Sequence, residues 1–330
     1  MSKDDFRRRR LSVTDQDQME AQLAAASVSG SSSTPGQRQR RISISMSPEM
    51  GQKPKVALTF PVELVGTFSC HGVEPGRMAG QTHAKINQDR GCVASPFAEP
   101  EDGSYKQALF CVYDGHGSQG DKASQFTMDK VIQLLEPLLN DGMREDEALK
   151  TAFLRVDDML KKDRSIDAEL SGTTAVVMLL RKTGETLECW VAWCGDSRAV
   201  LAKPRGGGRP YEAEDLSHDQ KPDTPAEMAR IQAAGGFVSP PETEWGGPAR
   251  VWIDAEMTLP GLAMARSIGD HLVKTVGVIA EPEVRAGWSS NDLRVSWSAC
   301  EGVCVRLRAS ACVCVRLRAS ESRLSASECL

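Results

Sequence analysis

An acid, a glycine, an imidazole and a second glycine follow directly on an apolar run in Leu109-Phe110-Cys111-Val112-Tyr113-Asp114-Gly115-His116-Gly117. Carboxylate and imidazole are the side chains that most often carry proton-transfer chemistry. The run predicts a buried strand, and the two glycines a tight turn at its end. A rigid turn at a sheet edge lets both side chains face one site. Taken alone, the tetrapeptide reads first as an Asp-Gly turn with a surface histidine, so its meaning depends on what surrounds it.

The elements needed to position that turn are legible from periodicity. Lys85-Ile86-Asn87-Gln88-Asp89-Arg90 leads into Gly91-Cys92-Val93-Ala94, a short strand with an acid at its start; alone, Asp89 reads as a turn residue. Ala123 to Leu139 and Asp146 to Lys161 carry apolar residues at three- and four-residue intervals, which predicts two amphipathic helices packed on a sheet. Ser171-Gly172-Thr173-Thr174 opens into the apolar stretch Ala175 to Leu180. Thr186 to Ala192 returns after a turn, and Cys194-Gly195-Asp196-Ser197-Arg198 leads into Ala199 to Ala202. Three strands joined by short turns predict an antiparallel meander, and with the helices clustered elsewhere the fold class is α+β. Thr224-Pro225-Ala226-Glu227 has the arrangement of a capping box opening a short helix that Gly235-Gly236 stops. Gly72 to Gly80, Pro204 to Pro210 and a long Pro/Gly/Trp stretch after Val238 read as loops. Ala265-Arg266-Ser267-Ile268-Gly269-Asp270 precedes a last strand or turn pair through Val284.

With 330 residues, 26% charged and 40% hydrophobic, the chain is long enough for one large domain with a sizeable core. A formal net charge of -5 gives no reason to expect a nucleic-acid surface. No apolar stretch approaches the roughly 20 residues that span a bilayer, and the basic Met1 to Arg10 lacks the apolar segment of a secretory signal. An intracellular monomer, cytoplasmic and/or nuclear, is expected. Five of the 10 cysteines (Cys70, Cys92, Cys111, Cys189 and Cys194) are scattered beside apolar residues as buried free thiols are; the other five lie at the C-terminus, and no disulfide framework or structural zinc site is indicated.

Residues 1 to 55, rich in Ser, Gln, Arg and Pro, are expected to be disordered. Arg9-Arg10-Leu11-Ser12 and Arg40-Arg41-Ile42-Ser43 each resemble the consensus of basophilic protein kinases, so a kinase is one expected partner; a nuclear address and a plain solvated basic tail are the other readings. At the other end, Val303 to Ser310 recurs residue for residue as Val313 to Ser320. The repeat suits either a hairpin of Val/Leu-rich strands with Arg outward, or the translation of a simple DNA repeat or wrong reading frame. A domain over 56–302 followed by a repeat tail over 303–330 is the resulting division.

In order, these motifs (the acid after Asn-Gln, DGHG, SGTTA, CGDSRAVL, a helix opened by Pro-Asp-Thr-Pro, ARSIGD) resemble the metal-dependent protein serine/threonine phosphatases, PP2C or PPM, over roughly residues 60 to 302. The resemblance implies a four-layer α-β-β-α sandwich of two antiparallel sheets flanked by helices. It implies two divalent ions, Mg2+ or Mn2+, with a third, weaker one near Glu169. Asp114 would bridge the two ions, with the Gly115 carbonyl and Asp89 as further oxygen donors of the kind hard cations prefer. A water between the ions would attack a phosphoserine or phosphothreonine of a protein substrate. His116 would be the general acid for the leaving alkoxide. Asp196, Arg198, Ser171 to Thr174, and Arg266 with Asp270 read as architecture, and His218-Asp219 as loop closure.

Three departures from the family pattern bear on function. Ala84 stands where many members place a phosphate-holding arginine, leaving Lys85 or Arg77 for that role, and a lysine lacks the bidentate fork. Gln88 replaces a metal-binding glutamate. Glu301, in Ala299-Cys300-Glu301-Gly302, takes the place of a metal-binding aspartate, and beyond it the family's later Asp-Asn ligand motif has no counterpart, so the domain reads as C-terminally incomplete. These departures support an alternative: a catalytically impaired pseudophosphatase that binds phosphoproteins or a kinase.

Overall fold

The computed structural model describes residues 65–75, 81–184, 186–203, 212–242, 247–289, 302–306 and 311–315. The basic tail, Arg77, the glycine-rich 204–210, the strand expected at 293–297, and Glu301 lie outside the described residues. In chain order the elements are β1 (Val65–Ser69), β2 (Val73–Pro75), β3 (Thr82–Ala84), β4 (Arg90–Ala94), β5 (Lys106–Tyr113), β6 (Gly115–His116), α1 (Gly120–Asn140) and α2 (Glu145–Lys162). There follow β7 (Gly172–Thr173), β8 (Ala175–Thr183), β9 (Thr186–Cys194), β10 (Arg198–Lys203), β11 (Glu212–Asp215) and α3 (Pro225–Ala233). The last are β12 (Phe237–Ser239), β13 (Arg250–Trp252), β14 (Pro260–Leu262), β15 (Ile268–Gly269), α4 (His271–Lys274), β16 (Glu283–Ser289), β17 (Gly302–Arg306) and β18 (Ala311–Val315).

The fold is α+β, two antiparallel five-stranded sheets flanked by helices. One sheet runs β16-β9-β8-β5-β4 and the other β1-β18-β17-β10-β11. β5 shows why its sequence is apolar without alternation. Leu109, Cys111 and Tyr113 pack toward α1 and α2 with Val131, Leu135, Phe153 and Val156. Ala108, Phe110 and Val112 face the other way, into the layer that contains Ala199 and Leu201 of β10. A strand buried on both faces has no polar side to show. Both predicted helices form, each a few residues longer than its apolar stripe. Cys92, Cys111, Cys189 and Cys194 are buried free thiols, and Cys70 is an exposed one. Among the described residues no helix is long and apolar enough to cross a membrane.

Long-range pairing departs from local expectation in four places. The meander stops after two strands: β8 and β9 form the hairpin, but β10 pairs with β11 and β17 in the second sheet. The chain changes sheet at Gly195, whose φ of +108° is open to glycine and whose missing Cβ would stand 2.7 Å from Thr174 Cγ2. The expected loop after Gly72 instead begins with β2, paired with β3. The Pro/Gly/Trp stretch likewise contributes β13, between β12 and β14, over a small core with Ile231, Leu262 and Val273. Finally, α3 forms behind Pro225, but Thr224 makes no side-chain cap bond. Glu227 cannot close a capping box because Arg266 and Arg230 both hold its carboxylate.

The two copies of the repeat, set apart in the sequence as a tail, each supply one strand of the second sheet. Val303 pairs with Val315 and Cys304 with Cys314, while β17 lies along β10 and β18 along β1. Val303 and Val305 are in register with buried Leu201 and Ala199, and Arg306 with Arg198. This is the hairpin reading of the repeat.

The layer between the sheets is open to a direct test. Phe110→Ala is expected to lower unfolding stability by about 3–5 kcal/mol. A urea melt that leaves the midpoint unchanged would show that Phe110 does not fill that layer.

Candidate active site

Antiparallel pairing of β4 with β5 sets Arg90 opposite Tyr113, so the next residues outward, Asp89 and Asp114, meet beyond the end of the ladder. Asp89 is buried, with its N–H donating to Asn87 Oδ1 at 3.1 Å. The main chain of Asp114 is clamped by the SGTT segment: its N–H donates to Thr174 Oγ1 at 3.0 Å, and Thr174 N–H donates back to the Asp114 carbonyl at 3.0 Å. Thr174 is held in turn by Ser197 of the GDSR turn, Oγ1 to Oγ 2.5 Å.

Past Asp114, three of the sequence motifs join in one ribbon. β6 pairs with β7 and β7 with β15, so His116 lies beside Gly172 and Gly172 beside Gly269. The approach is so close that a Cβ on Gly172 would stand 2.3 Å from Asp270 Oδ2 and 2.6 Å from the Ile268 carbonyl oxygen. His116 Nε2 meets Asp270 Oδ2 at 2.7 Å, while its Nδ1 is buried without a hydrogen-bond partner. Asp270 has φ 51° and ψ 44°, a left-handed conformation that costs a non-glycine residue about 1–2 kcal/mol. Its N–H donates to the Ser171 carbonyl at 3.0 Å, and Asp157 of α2 fixes the preceding residue by accepting from Gly269 N–H at 2.8 Å and Lys274 Nζ at 2.6 Å.

The electrostatics follow from this crowding. Burial, then the charges of Asp89 and Asp196, push the Asp114 carboxyl from its ordinary 3.8 up to about 7, against the pull of His116. Burial alone would raise Asp270 and lower His116, but in each the other's opposite charge and hydrogen bond prevail: Asp270 is held below its usual range and His116 above. Asp196, read from the sequence as scaffold as much as site, thus adds charge to the acid pair, and Lys221 is its ion-pair partner.

Arg266, read with Asp270 as support for the cleft, points elsewhere. Its guanidinium holds Glu227 (Nη2 to Oε1 2.5 Å) and the Glu281 carbonyl at 3.0 Å, while Asp270 alone of the two faces His116. Arg198 bonds Asp219 at 2.9 and 3.0 Å, exposed His218 lies edge-on to Trp193, and Glu169 is exposed. Lys85 is exposed beyond β3, its N–H donating to the Gly72 carbonyl at 2.8 Å. Gln88 turns its amide nitrogen to the Gly117 carbonyl at 2.7 Å, so it fastens the DGHG turn with its donor end.

The donor set fits a hard cation in its chemistry: two acids share one strand end with a third nearby, and the proton that Asp114 retains marks uncompensated negative charge. Among the described residues no three His, Cys, Asp or Glu side chains close into a metal cluster. Asp89, Asp114 and the Gly115 carbonyl are the groups available to such an ion.

A raised carboxyl has a definite consequence for stability. Between about pH 4 and 7 the folded, metal-free chain holds a proton on Asp114 that the unfolded chain releases, so this contribution is full at low pH and is lost as pH rises through 7. In chelator, the thermal midpoint should fall over that range more steeply in the wild type than in Asp114→Asn, and above pH 7 the variant should be the more stable. Parallel profiles would contradict the crowding.

The signature of the family described as Protein phosphatase 2C matches residues 76–302. Over 221 residues the chain is 39% identical to "Probable protein phosphatase 2C 35" of Arabidopsis thaliana, an alignment covering 61% of this chain and 59% of that one. It is 36% identical over 204 residues to "Probable protein phosphatase 2C 64" of Oryza sativa subsp. japonica, covering 60% and 45%. The chain thus spans about half the length of these curated relatives. Its fold is similar to the crystal structure of serine-threonine phosphatase 2C from Toxoplasma gondii, with TM-score 0.53, 20% identity, and coverage of 81% and 82%. The match over 76–302 takes in both strand-end acids and all three strands of the ribbon, and the chain belongs to the protein phosphatase 2C family.

Proposed function

We propose that the chain hydrolyses phosphoserine and phosphothreonine in proteins with the help of two divalent ions, Mg2+ or Mn2+. The observation that carries this reading is the placement of Asp114, its carboxyl raised to about 7 by burial and neighbouring acids, two residues from a histidine paired with a buried carboxylate. Asp89, Asp114 and the Gly115 carbonyl would hold the ions, joined by Glu301, and Asp196 or Glu169 would serve a third, weaker one. When bound, the ions supply Lewis acidity toward the phosphoryl group and a water of lowered pKa. The protein's part is to place the phosphate in front of that water and to protonate the leaving group. A serine or threonine alkoxide leaves poorly without a proton, and His116 is the donor on the same turn. Lys85 and Arg77 are the cations assigned to the phosphate. The domain is taken to run over 56–302, and Ser12 and Ser43 of the tail to accept phosphate from a basophilic kinase. The protein would act as a monomer in cytoplasm or nucleus.

A second reading, a phosphoprotein- or kinase-binding pseudophosphatase, is favoured by one observation. Gln88, in place of an acid, spends its donor end on the Gly117 carbonyl and brings no charge to an ion.

The readings part in one assay. Phosphate release from a phosphothreonine peptide is expected to need Mg2+ or Mn2+, to stop in EDTA, and to fall to the EDTA level in Asp114→Asn. Equal release by wild type and variant would overturn the enzyme reading.

A further inference from the structure

We infer that Lys221 is a substrate-binding residue whose ammonium, aimed by Asp196 at the rim of the acid cluster, holds the phosphoryl oxygens of phosphoserine or phosphothreonine. The inference rests on the phosphatase reading above for its substrate, and adds a cation that no sequence motif singled out.

A chain of contacts leads from Asp114 to this lysine. Thr174 exchanges two hydrogen bonds with the main chain of Asp114, each at 3.0 Å. Both neighbours of Asp196 pack on that same threonine. Ser197 Oγ lies 2.5 Å from its Oγ1, and a Cβ on Gly195 would stand 2.7 Å from its Cγ2. Asp196 is thereby set beside the strand end, where its charge reaches both Asp114 and His116. Lys221 Nζ pairs with Asp196 Oδ2. The lysine's main chain is fixed from both sides. Buried Gln220 accepts from Gly195 N–H through Oε1 at 2.8 Å and donates its own N–H to the Gly195 carbonyl at 3.0 Å. Ala265 N–H donates to the Gln220 carbonyl at 2.8 Å, and Thr224 N–H to the Lys221 carbonyl at 3.1 Å.

The pair is not sealed in. The side chains of Lys221 and Asp196 are 19% and 15% exposed, so they border the cluster rather than fill it. An ammonium has three N–H donors, and among the described residues Asp196 is the partner of one. Other cations near the acids are committed. Arg198, on the same turn as Asp196, holds Asp219 and Asp215. Arg90 holds Gln125 and the Asn87 and Asp89 carbonyls, and Lys274 holds Asp157 and the Ser267 carbonyl. Ala84 offers no guanidinium. Lys85 would approach from the β2–β3 hairpin, where its Cδ stands 3.6 Å from the position of a Gly72 Cβ; Lys221 stands on the GDSR side, already paired with a site acid. A lysine lacks the planar fork that orients an arginine on phosphate, and here Asp196 does the aiming.

Binding and turnover separate this role from mere support of the GDSR turn. In the full chain with Mn2+, Lys221→Met should raise KM for a phosphothreonine peptide about tenfold and leave kcat within about twofold, the pattern of an interaction made equally in ground and transition states. The inhibition constant of inorganic phosphate should rise by about the same tenfold, the size that a charge-assisted hydrogen bond carries. Lys221→Arg, which keeps the charge, should recover most of both. The wild type offers a readout that needs no variant to fold: lysine acetylation by an N-hydroxysuccinimide ester, followed by mass spectrometry. With Mn2+ present, inorganic phosphate should slow labelling of Lys221 severalfold and leave that of exposed Lys162 unchanged. Unchanged KM and phosphate inhibition in Lys221→Met, a loss confined to kcat, or a Lys221 that phosphate does not protect would overturn the assignment. A wild type that releases no phosphate from the peptide, yet whose Lys221 phosphate protects, overturns the phosphatase reading and supports Lys221 as a phosphate-binding cation.

Discussion

Close backbone approach in the β6–β7–β15 ribbon is the constraint on which the site depends. Residues 116, 172 and 269 are far apart in the chain, yet they lie in one row because Gly172 presents no side chain to either neighbour. A Cβ there would collide with the Asp270 carboxylate, which is bonded to His116, and with the Ile268 carbonyl. The ribbon therefore requires its glycine and, given it, delivers His116 and Asp270 to each other. The same SGTT segment clamps the main chain of Asp114 through Thr174, so acid, imidazole and second acid are placed by one short stretch.

Charge completes what the backbone begins. Register between β4 and β5 puts Asp89 and Asp114 at the same strand end, and the GDSR turn adds Asp196. Such crowding opposes folding at neutral pH unless positive charge or a proton relieves it. The ion pair between His116 and Asp270 settles one side of the cluster and that of Lys221 with Asp196 another, which leaves Asp114 as the carboxyl still holding a proton near pH 7. Rigidity on the scaffold side and unspent charge beside Asp114 are the features on which the proposed phosphoryl-transfer reading draws.

Local signals carried well. The unbroken apolar run of β5 announced a buried strand, which the structure packs on both faces, and the stripes of α1 and α2 announced helices on a sheet. The order of short motifs was enough to reveal the family. What local pattern does not contain is partnership over distance. Nothing near Cys194 says that the chain leaves one sheet for the other at Gly195, and nothing near Trp252 marks a third strand for a small sheet. Asp270 and Arg266, four residues apart, were read as one support, yet Asp270 serves His116 and Arg266 ties α3 to the segment before β16. Glu227 had the spacing of a capping box, but two arginines reach it first. In the first two cases strand pairing over distance, and in the last two ion pairs such as Arg266–Glu227 and His116–Asp270, decided what local pattern left open.

The claim on which the functional account turns is that Asp114 anchors a divalent-cation site at the end of β5. Calorimetric titration of Mn2+ into the chelator-stripped full chain tests it without reference to turnover. The wild type should bind Mn2+ with release of protons near pH 7, and Asp114→Asn should lose that binding while keeping its fold by circular dichroism. Unchanged Mn2+ binding in Asp114→Asn, or none in the wild type, would contradict it.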